Sequence, residues 1–140
     1  MALELESLNK AIKSLEKSLL VAAKKESDNN RDADEFEVIV AGVIQNFEFT
    51  YELCWKFMKR WIEENIGAAY VDGVTRKELF RQAAEQKLIE NTEKWFEFHT
   101  ARNRTSHVYD EEVAEYVYKT AALFLPEAKK FLKNIEQRND

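Results

Sequence analysis

The stretch that decides the fold is residues 36–67, which read FEVIVAGVIQNFEFTYELCWKFMKRWIEENIG. Apolar residues recur in it at steps of three and four, the period of an amphipathic helix. The apolar stripe consists of Phe36, Val40, Val43, Phe47, Tyr51, Cys54, Met58 and Ile62. It predicts one helix from about residue 35 to 66, roughly 45 Å long, which ends before Gly67. A helix of this length is typical of the central helix of a bundle.

Two further stripes with the same period predict long helices before and after this segment. The first consists of Leu8, Ile12, Leu15, Leu19 and Ala22, and the last of Val113, Val117, Ala121, Phe124, Ala128, Phe131 and Ile135. Asp110 is suited to cap the last helix, and Pro126 lies inside it without breaking the phase, so we expect a kink rather than an end. Residues 26–32 contain no apolar side chain and are predicted to connect the first two helices.

Two shorter helices are predicted from their capping residues. Thr75 and Glu78 have the spacing of a capping box, and Asn91 or Thr92 can cap a further helix that runs towards Asn103. No segment alternates with a period of two over enough residues for a sheet strand. The sequence therefore predicts an all-α protein, an antiparallel up-and-down four-helix bundle with one additional short helix.

The composition is that of an ordinary globular protein, with 45% hydrophobic and 34% charged residues. We expect residues 1–140 to form a single domain, since this is a common domain size. The single cysteine, Cys54, excludes an intramolecular disulfide and a cysteine-rich zinc site, and fits a reducing compartment. No apolar run approaches the roughly 20 residues of a membrane-spanning helix, and no signal peptide is recognisable. We therefore expect a cytoplasmic protein without a membrane partner.

Chemically versatile side chains are concentrated in residues 102–109, which read RNRTSHVY. Arg102 carries a permanent, forked positive charge that suits phosphate oxygens, and histidine is the residue type that exchanges a proton near neutral pH. On one straight helix Arg102 and His107 would differ by about 140°, so they converge only if the helix ends between them or a second copy contributes. The alternative is structural, with basic residues favouring the dipole of a helix C-terminus and His107 in a local hydrogen bond.

Glu48 and Glu52 lie one helical turn apart and raise the question of a metal site. A di-metal site in a helical bundle uses Glu-x-x-His pairs, which this chain lacks, so we expect no metal and no other cofactor. Glu52 and Lys56 have the spacing of an ordinary ion pair. Glu48 shares its helix face with apolar side chains, and we expect it to pair with Arg102 or Arg104, because buried carboxylates require partners.

The remaining candidates are expected to be structural. Aromatic residues at helical spacing lie in a core or a dimer interface more often than against nucleic-acid bases. This group comprises Phe47, Phe49, Tyr51, Trp55 and Trp61. Cys54 is expected to be an inert core residue. His99 is expected to be structural as well, although its spacing from Asn103 allows it to border the face that Asn103 shares with His107.

Residues 43–56 (VIQNFEFTYELCWK), followed by Leu88-Ile-Glu90, Trp95 and residues 102–110 (RNRTSHVYD), resemble the HEPN superfamily. More narrowly, they resemble the branch called nucleotidyltransferase substrate-binding proteins. The resemblance joins two separated motifs in the expected order and covers most of the chain. It implies a helical bundle that commonly forms homodimers. Many members are metal-independent endoribonucleases whose signature is an arginine followed, after four to six residues, by a histidine.

The resemblance maps this signature onto Arg102 and His107, with Asn103 at the polar position that often follows the arginine. A subset carries a tyrosine two residues after the histidine, which corresponds to Tyr109. Such proteins are toxins encoded beside a minimal nucleotidyltransferase antitoxin, which modifies this tyrosine with AMP. The implied function is therefore a HEPN-type toxin, a homodimeric endoribonuclease neutralised by that partner. The alternative is a non-catalytic substrate-binding or nucleotide-binding subunit of a two-component nucleotidyltransferase.

Cleavage of RNA without a metal needs a base, an acid and a cation that stabilises the charge on the phosphorane. One chain has one motif histidine, so we predict that the catalytic form is a dimer with two His107 side chains across one groove. Arg102 is predicted to stabilise the phosphate charge, and Asn103 to orient the phosphate or the imidazole. Arg104 is predicted to attract RNA, and Tyr109 to line the groove. Because the net charge is −5, RNA must bind to a local cluster of cations or with the help of a partner.

Overall fold

The computed structural model describes residues 2–139, and none of these residues lies in a β-strand. The helices, in chain order, are α1 (Glu6–Glu26), α2 (Ala33–Asn65), α3 (Ala68–Val71), α4 (Arg76–Glu85), α5 (Thr92–Asn103), a 3₁₀ helix (Thr105–His107) and α6 (Glu111–Gln137). The predicted all-α class is confirmed. Within residues 2–139, no helix has both the length and the apolar composition that crossing a membrane requires.

Side-chain caps fix where four of these helices begin. Each cap accepts a hydrogen bond from a backbone N–H of the first turn, and the capping residues are Asp32, Thr75, Asn91 and Asp110. A cap of this kind stabilises its helix by about 1 kcal/mol. The predicted caps Thr75 and Asp110 are confirmed, and Asn91 rather than Thr92 caps α5. The last helix continues through Pro126, as expected.

Two short elements were not predicted, namely α3 and the 3₁₀ helix. Gly67 separates α2 from α3 with a φ of 145°, a conformation that glycine adopts readily because it has no Cβ atom. The brief helix α3 then buries Val71 against the core. Elements of three or four residues are too short to show a hydrophobic period, so the sequence pattern could not reveal them.

The central element is α2, which packs against all five other α-helices. One continuous hydrophobic cluster runs through the molecule, and it includes Cys54, which is fully buried. Burial raises the pKa of this thiol, in agreement with the expected inert role. Phe124 of α6 belongs to this cluster. Its ring centroid lies 5.1–6.5 Å from those of four other aromatic side chains, Phe47, Tyr51, Trp95 and Phe98.

Phe124→Ala is expected to lower the free energy of unfolding by about 3–5 kcal/mol, because it leaves a cavity among four rings. Leu123→Ala is the matched control, since Leu123 is 69% exposed on the same helix. The control should change the free energy of unfolding by no more than about 0.5 kcal/mol. Urea denaturation followed by circular dichroism measures both variants. Equal losses would contradict the central position of Phe124.

Candidate functional site

The candidate site lies where α5 ends and the chain turns towards α6. The helix ends at Asn103, between Arg102 and His107, and the 3₁₀ helix carries the chain onward. The backbone N–H of His107 donates to the carbonyl of Arg104 at 3.0 Å, and the N–H of Asp110 donates to the carbonyl of His107 at 3.1 Å. Asp110 then caps α6. This hydrogen-bonded turn places Arg102 and His107 on successive helical elements, Arg102 on α5 and His107 on the 3₁₀ helix.

Arg102 is held by three side chains, and its own side chain is 33% exposed. Its Nε donates to Oε1 of Glu52 at 3.1 Å, and its Nη1 donates to the hydroxyl of Thr105 at 3.1 Å. Oε2 of Glu48 lies 3.8 Å from Nη1, so the predicted pairing of Glu48 with Arg102 is confirmed. The Nη2 group makes no hydrogen bond to any of residues 2–139. The guanidinium is therefore fixed in orientation and keeps donors for a further partner.

The expected pairing of Glu52 with Lys56 is wrong. Both oxygens of Glu52 are engaged elsewhere, because Oε1 accepts from Arg102 and Oε2 accepts from the indole N–H of Trp55 at 2.9 Å. The ammonium of Lys56 instead lies 5.7 Å from the centroid of a Trp55 ring. A charged hydrogen bond from a half-buried guanidinium is stronger than an ion pair with a solvated lysine, which explains why Glu52 pairs with Arg102 and not with Lys56.

His99 links the core to the last turn of α5. The hydroxyl of the buried Tyr51 lies 2.7 Å from Nδ1 of His99, and Nε2 of His99 lies 3.4 Å from the amide nitrogen of Asn103. Burial raises the pKa of Tyr51, partly opposed by the nearby Arg76, so the phenol keeps its proton. His99 is thus structural, as expected, and it also contacts Asn103, the residue that follows Arg102.

Burial also lowers the pKa of His99 from its ordinary value of 6.5. The positive charges of Arg76, Lys77 and Arg102 lower it further, and the negative charge of Glu52 opposes them. The imidazole is therefore neutral at physiological pH. Three cations from α4 and α5 act on this one ring.

The other predicted site residues lie on the exposed side of the turn. His107 is exposed, and its ring centroid lies 6.2 Å from that of Tyr109, which is 85% exposed. The guanidinium carbon of Arg104 lies 5.2 Å from the ring centroid of Tyr116. The structure therefore brings Arg102 together with Glu48, and His107 together with Tyr109. Within residues 2–139, no hydrogen bond joins the side chains of Arg102 and His107.

Sequence reasoning missed the roles of Glu52, Thr105 and Tyr51. The one signal for Glu52 was its one-turn spacing from Glu48, since an arginine that reaches one of these carboxylates can reach the other. Nothing in the sequence marks Tyr51 as different from other core aromatics. Among residues 2–139, no group of three or more His, Cys, Asp or Glu side chains is arranged to hold a metal ion.

Comparison with known proteins finds relatives over almost the whole chain. Residues 3–137 match the family described as nucleotidyltransferase substrate binding protein like. A Haemophilus influenzae protein named probable ribonuclease HepT is 34% identical over 138 residues. The match covers 98% of this chain and 94% of that protein.

Two solved structures also match over almost the whole chain. A Haemophilus influenzae structure, described as revealing the fold of a substrate binding domain of a nucleotidyltransferase, has a TM-score of 0.90 at 32% identity. It covers 96% of this chain and 100% of that chain. A crystal structure from Thermus thermophilus has a TM-score of 0.58 at 23% identity, and covers 89% of this chain and 97% of that one. The second likeness supports the fold alone.

The lowered pKa of His99 predicts a pH-dependent stability. Because its folded-state pKa lies below the unfolded-state value, the unfolded chain takes up this proton more readily. The contribution of neutral His99 to the free energy of unfolding is fully present above about pH 6.5 and is lost as the pH falls towards the folded-state pKa. Urea denaturation at stepped pH should show a smaller decline for His99→Gln than for the wild type. A decline in His99→Gln that equals the wild-type decline would contradict the assignment.

Proposed function

Because the chain belongs to the family of nucleotidyltransferase substrate-binding-protein-like proteins, we propose that it is a HEPN-type toxin, a metal-independent endoribonuclease. It acts in the cytoplasm as a homodimer. Each subunit is a single domain, an up-and-down bundle built from α1, α2, α5 and α6. A minimal nucleotidyltransferase is its antitoxin. The relative named a probable ribonuclease supports this activity. The observation that carries the proposal is the fixed guanidinium of Arg102 one short turn before the exposed His107.

The proposed reaction breaks one phosphodiester bond. His107 takes the proton of a ribose 2′-hydroxyl, whose oxygen attacks the adjacent phosphorus. The bond from phosphorus to the 5′ oxygen breaks, and His107 of the partner subunit donates a proton to that oxygen. The products are a 2′,3′-cyclic phosphate and a free 5′-hydroxyl. Exposure of His107 is compatible with both roles, because RNA must approach the ring within hydrogen-bond distance.

Arg102 is the proposed stabiliser of charge on the pentacoordinate phosphorus. Its restraint by Glu52 and Thr105 supports this role, since a positioned cation needs no reorganisation in the transition state. Asn103, in contact with His99, is proposed to orient the phosphate. Arg104 is proposed to add attraction for RNA from its exposed position.

Tyr109 is the proposed acceptor of AMP from ATP, in a reaction that the nucleotidyltransferase catalyses. The phenol oxygen attacks the α-phosphorus, the bond from that phosphorus to the bridging oxygen breaks, pyrophosphate leaves, and the phenol proton passes to solvent. The 85% exposure of Tyr109 supports this choice over its neighbours. Tyr116 is half-buried beneath Arg104, and the hydroxyl of Tyr118 donates to Glu26 at 3.4 Å. An added AMP group beside His107 would fill the groove, and the negative charge of its phosphate would repel RNA. The modification would thereby inactivate the enzyme without unfolding it.

Two exposed apolar side chains on α2 support the homodimer. Val38 is 72% exposed and Phe49 is 58% exposed. They are eleven residues apart, about three helical turns, so they share one face. Glu52, which holds Arg102, follows Phe49 by one turn on the same side of the helix. An interface at Phe49 would therefore lie beside the proposed catalytic residues.

Arg102→Ala and His107→Ala are each expected to reduce RNA cleavage in excess EDTA by at least about a hundredfold, because each removes a group that acts in the transition state. The assay uses a mixed RNA pool and purified protein. The intact mass of the protein is measured first, to show that Tyr109 is unmodified. Ser106→Ala is the matched control, an exposed residue of the same 3₁₀ helix, and should cleave at the wild-type rate. Cleavage by His107→Ala at the wild-type rate would contradict the proposal.

A non-catalytic binding subunit is the second candidate function. The Haemophilus influenzae structure described as a substrate binding domain of a nucleotidyltransferase favours it. Under this alternative, Arg102 and His107 bind a phosphate or a nucleotide that the partner enzyme uses. The same assay separates the two functions, since unmodified wild-type protein that leaves RNA intact would favour the binding subunit.

Phe49→Glu is expected to produce a monomer that no longer cleaves RNA, because a charge in an apolar interface is costly. Light scattering after size-exclusion chromatography measures the mass. Leu20→Glu is the control, since Leu20 is a comparably exposed apolar residue on α1. The control should remain dimeric and active. A strictly monomeric protein that still cleaves RNA would contradict the need for two His107 side chains.

A further inference from the structure

The face of α4 that meets α2 and α5 has no role in the proposed cleavage. The guanidinium carbon of Arg76 lies 3.5 Å from the centroid of a Trp55 ring, and Nζ of Lys77 lies 5.5 Å from the ring centroid of Phe96. Trp55 belongs to α2 and Phe96 to α5. The first turn of α4 thus places one cation over an aromatic ring of each neighbouring helix. Stacking of this kind holds a cation in place and leaves it positively charged.

These two cations lack a negative partner. Arg76 is half-buried, yet no carboxylate of residues 2–139 forms an ion pair with it or with Lys77. Arg81, on the same helix, does have such a partner in Glu78 at 3.3 Å. Removing a guanidinium from water without a counter-charge is costly, so half-buried cations are normally paired. The ring of Trp55 compensates only in part. An anionic ligand would supply the missing charge.

The cations of α4 continue a row of polar groups that begins at Arg102. Next in the row are Asn103 and His99, which are in contact, and Arg76 and Lys77 both act on the His99 ring. Along α5, Asn103 and Phe96 are seven residues apart, about 10 Å. A flexible polyanion bound at the turn can therefore reach α4 along one continuous surface.

Arg102 alone cannot supply the attraction for such a polyanion. Its charge is already offset by two carboxylates, Glu52 at 3.1 Å and Glu48 at 3.8 Å. The protein as a whole carries a net charge of −5, which repels nucleic acid. RNA must therefore bind to a local group of unpaired cations or with the help of a partner. Arg76 and Lys77 form such a group beside the site.

We propose that Arg76 and Lys77, supported by the rings of Trp55 and Phe96, bind the phosphates of a single-stranded RNA segment adjacent to the cleaved bond. The inference rests on the proposed ribonuclease function and extends it from the cleaved phosphate to the binding path of the strand. Cationic grooves interleaved with aromatic side chains are the usual means of binding single-stranded nucleic acid without sequence preference. RNA binding here is accordingly salt-dependent and tolerant of sequence.

The test uses His107→Ala protein, so that the RNA stays intact, and follows the fluorescence anisotropy of a labelled single-stranded oligoribonucleotide over a range of salt concentrations. Adding Arg76→Gln and Lys77→Gln together is expected to weaken binding about tenfold and to reduce the salt slope by about 1.4, or 0.7 per phosphate. Lys13→Gln with Lys17→Gln is the control. These exposed lysines lie on α1, which packs against α2 and α6, and the pair makes the same change in charge. The control should bind RNA as the parent does.

Each other outcome overturns the inference in a recognisable way. Equal weakening in both double variants would mean that only the overall charge matters. Unchanged binding after substitution of Arg76 and Lys77 would remove α4 from the RNA path, while wild-type cleavage would leave the proposed function intact. Absence of RNA binding together with absence of cleavage would remove both. Displacement of the labelled RNA by ATP as effectively as by unlabelled RNA would indicate a mononucleotide site instead.

A second variant protects the test against misfolding. Lys77→Gln alone changes an exposed side chain that makes no hydrogen bond within residues 2–139, and it should reduce the salt slope by about 0.7. Circular dichroism should show unchanged helix content in every variant. A Lys77→Gln protein with the parent's salt slope would exclude contact between this lysine and a phosphate.

Discussion

The packing of Phe124 against four aromatic rings is the constraint on which the rest of the molecule depends. Its partners come from α2 and α5, so a single side chain of α6 fixes three helices relative to one another. Three of the four contacts are edge-to-face, an arrangement that is directional and disfavours sliding of one helix along another. The contacts of Arg102 with Glu52 and of His99 with Tyr51 require this alignment, because each of them joins α5 to α2.

Tyr51 shows how directly the site is attached to this core. Its ring packs against Phe124 and Phe47, and its hydroxyl reaches His99 at the surface. The ring of Tyr51 is buried in the core, and its hydroxyl contacts His99, which in turn contacts Asn103. Tyr51 thereby connects the hydrophobic packing to the orientation of Asn103. The network of Arg102 and Glu52 lies beside it and is attached to the same stretch of α2. The geometry of the site is therefore a property of the whole bundle and not of the turn alone.

The features that could be predicted from the sequence are those that depend on residues close together in the chain. Hydrophobic stripes and capping side chains act within one helix, so the long helices and caps such as Asp110 were predictable. The partner of Arg102 was predictable only in part, because fifty residues separate it from Glu52 and the two glutamates are one turn apart. The stacking of Arg76 on Trp55 was not predictable, since it depends on how α4 lies against α2. Cleavage, dimer formation and modification of Tyr109 involve other molecules and stay predictions.

The attachments of the last turn of α5 have a consequence for entropy. The end of a helix ordinarily frays, and its side chains sample many rotamers. Here His99 and Arg102 are both held by α2, so their freedom is lost when the chain folds. A ligand that binds Arg102 does not bear the entropic cost of ordering this side chain again, so more of its contact energy appears as affinity. Substitutions in α2 can therefore weaken a ligand's affinity through the disorder they introduce into α5, without touching the ligand.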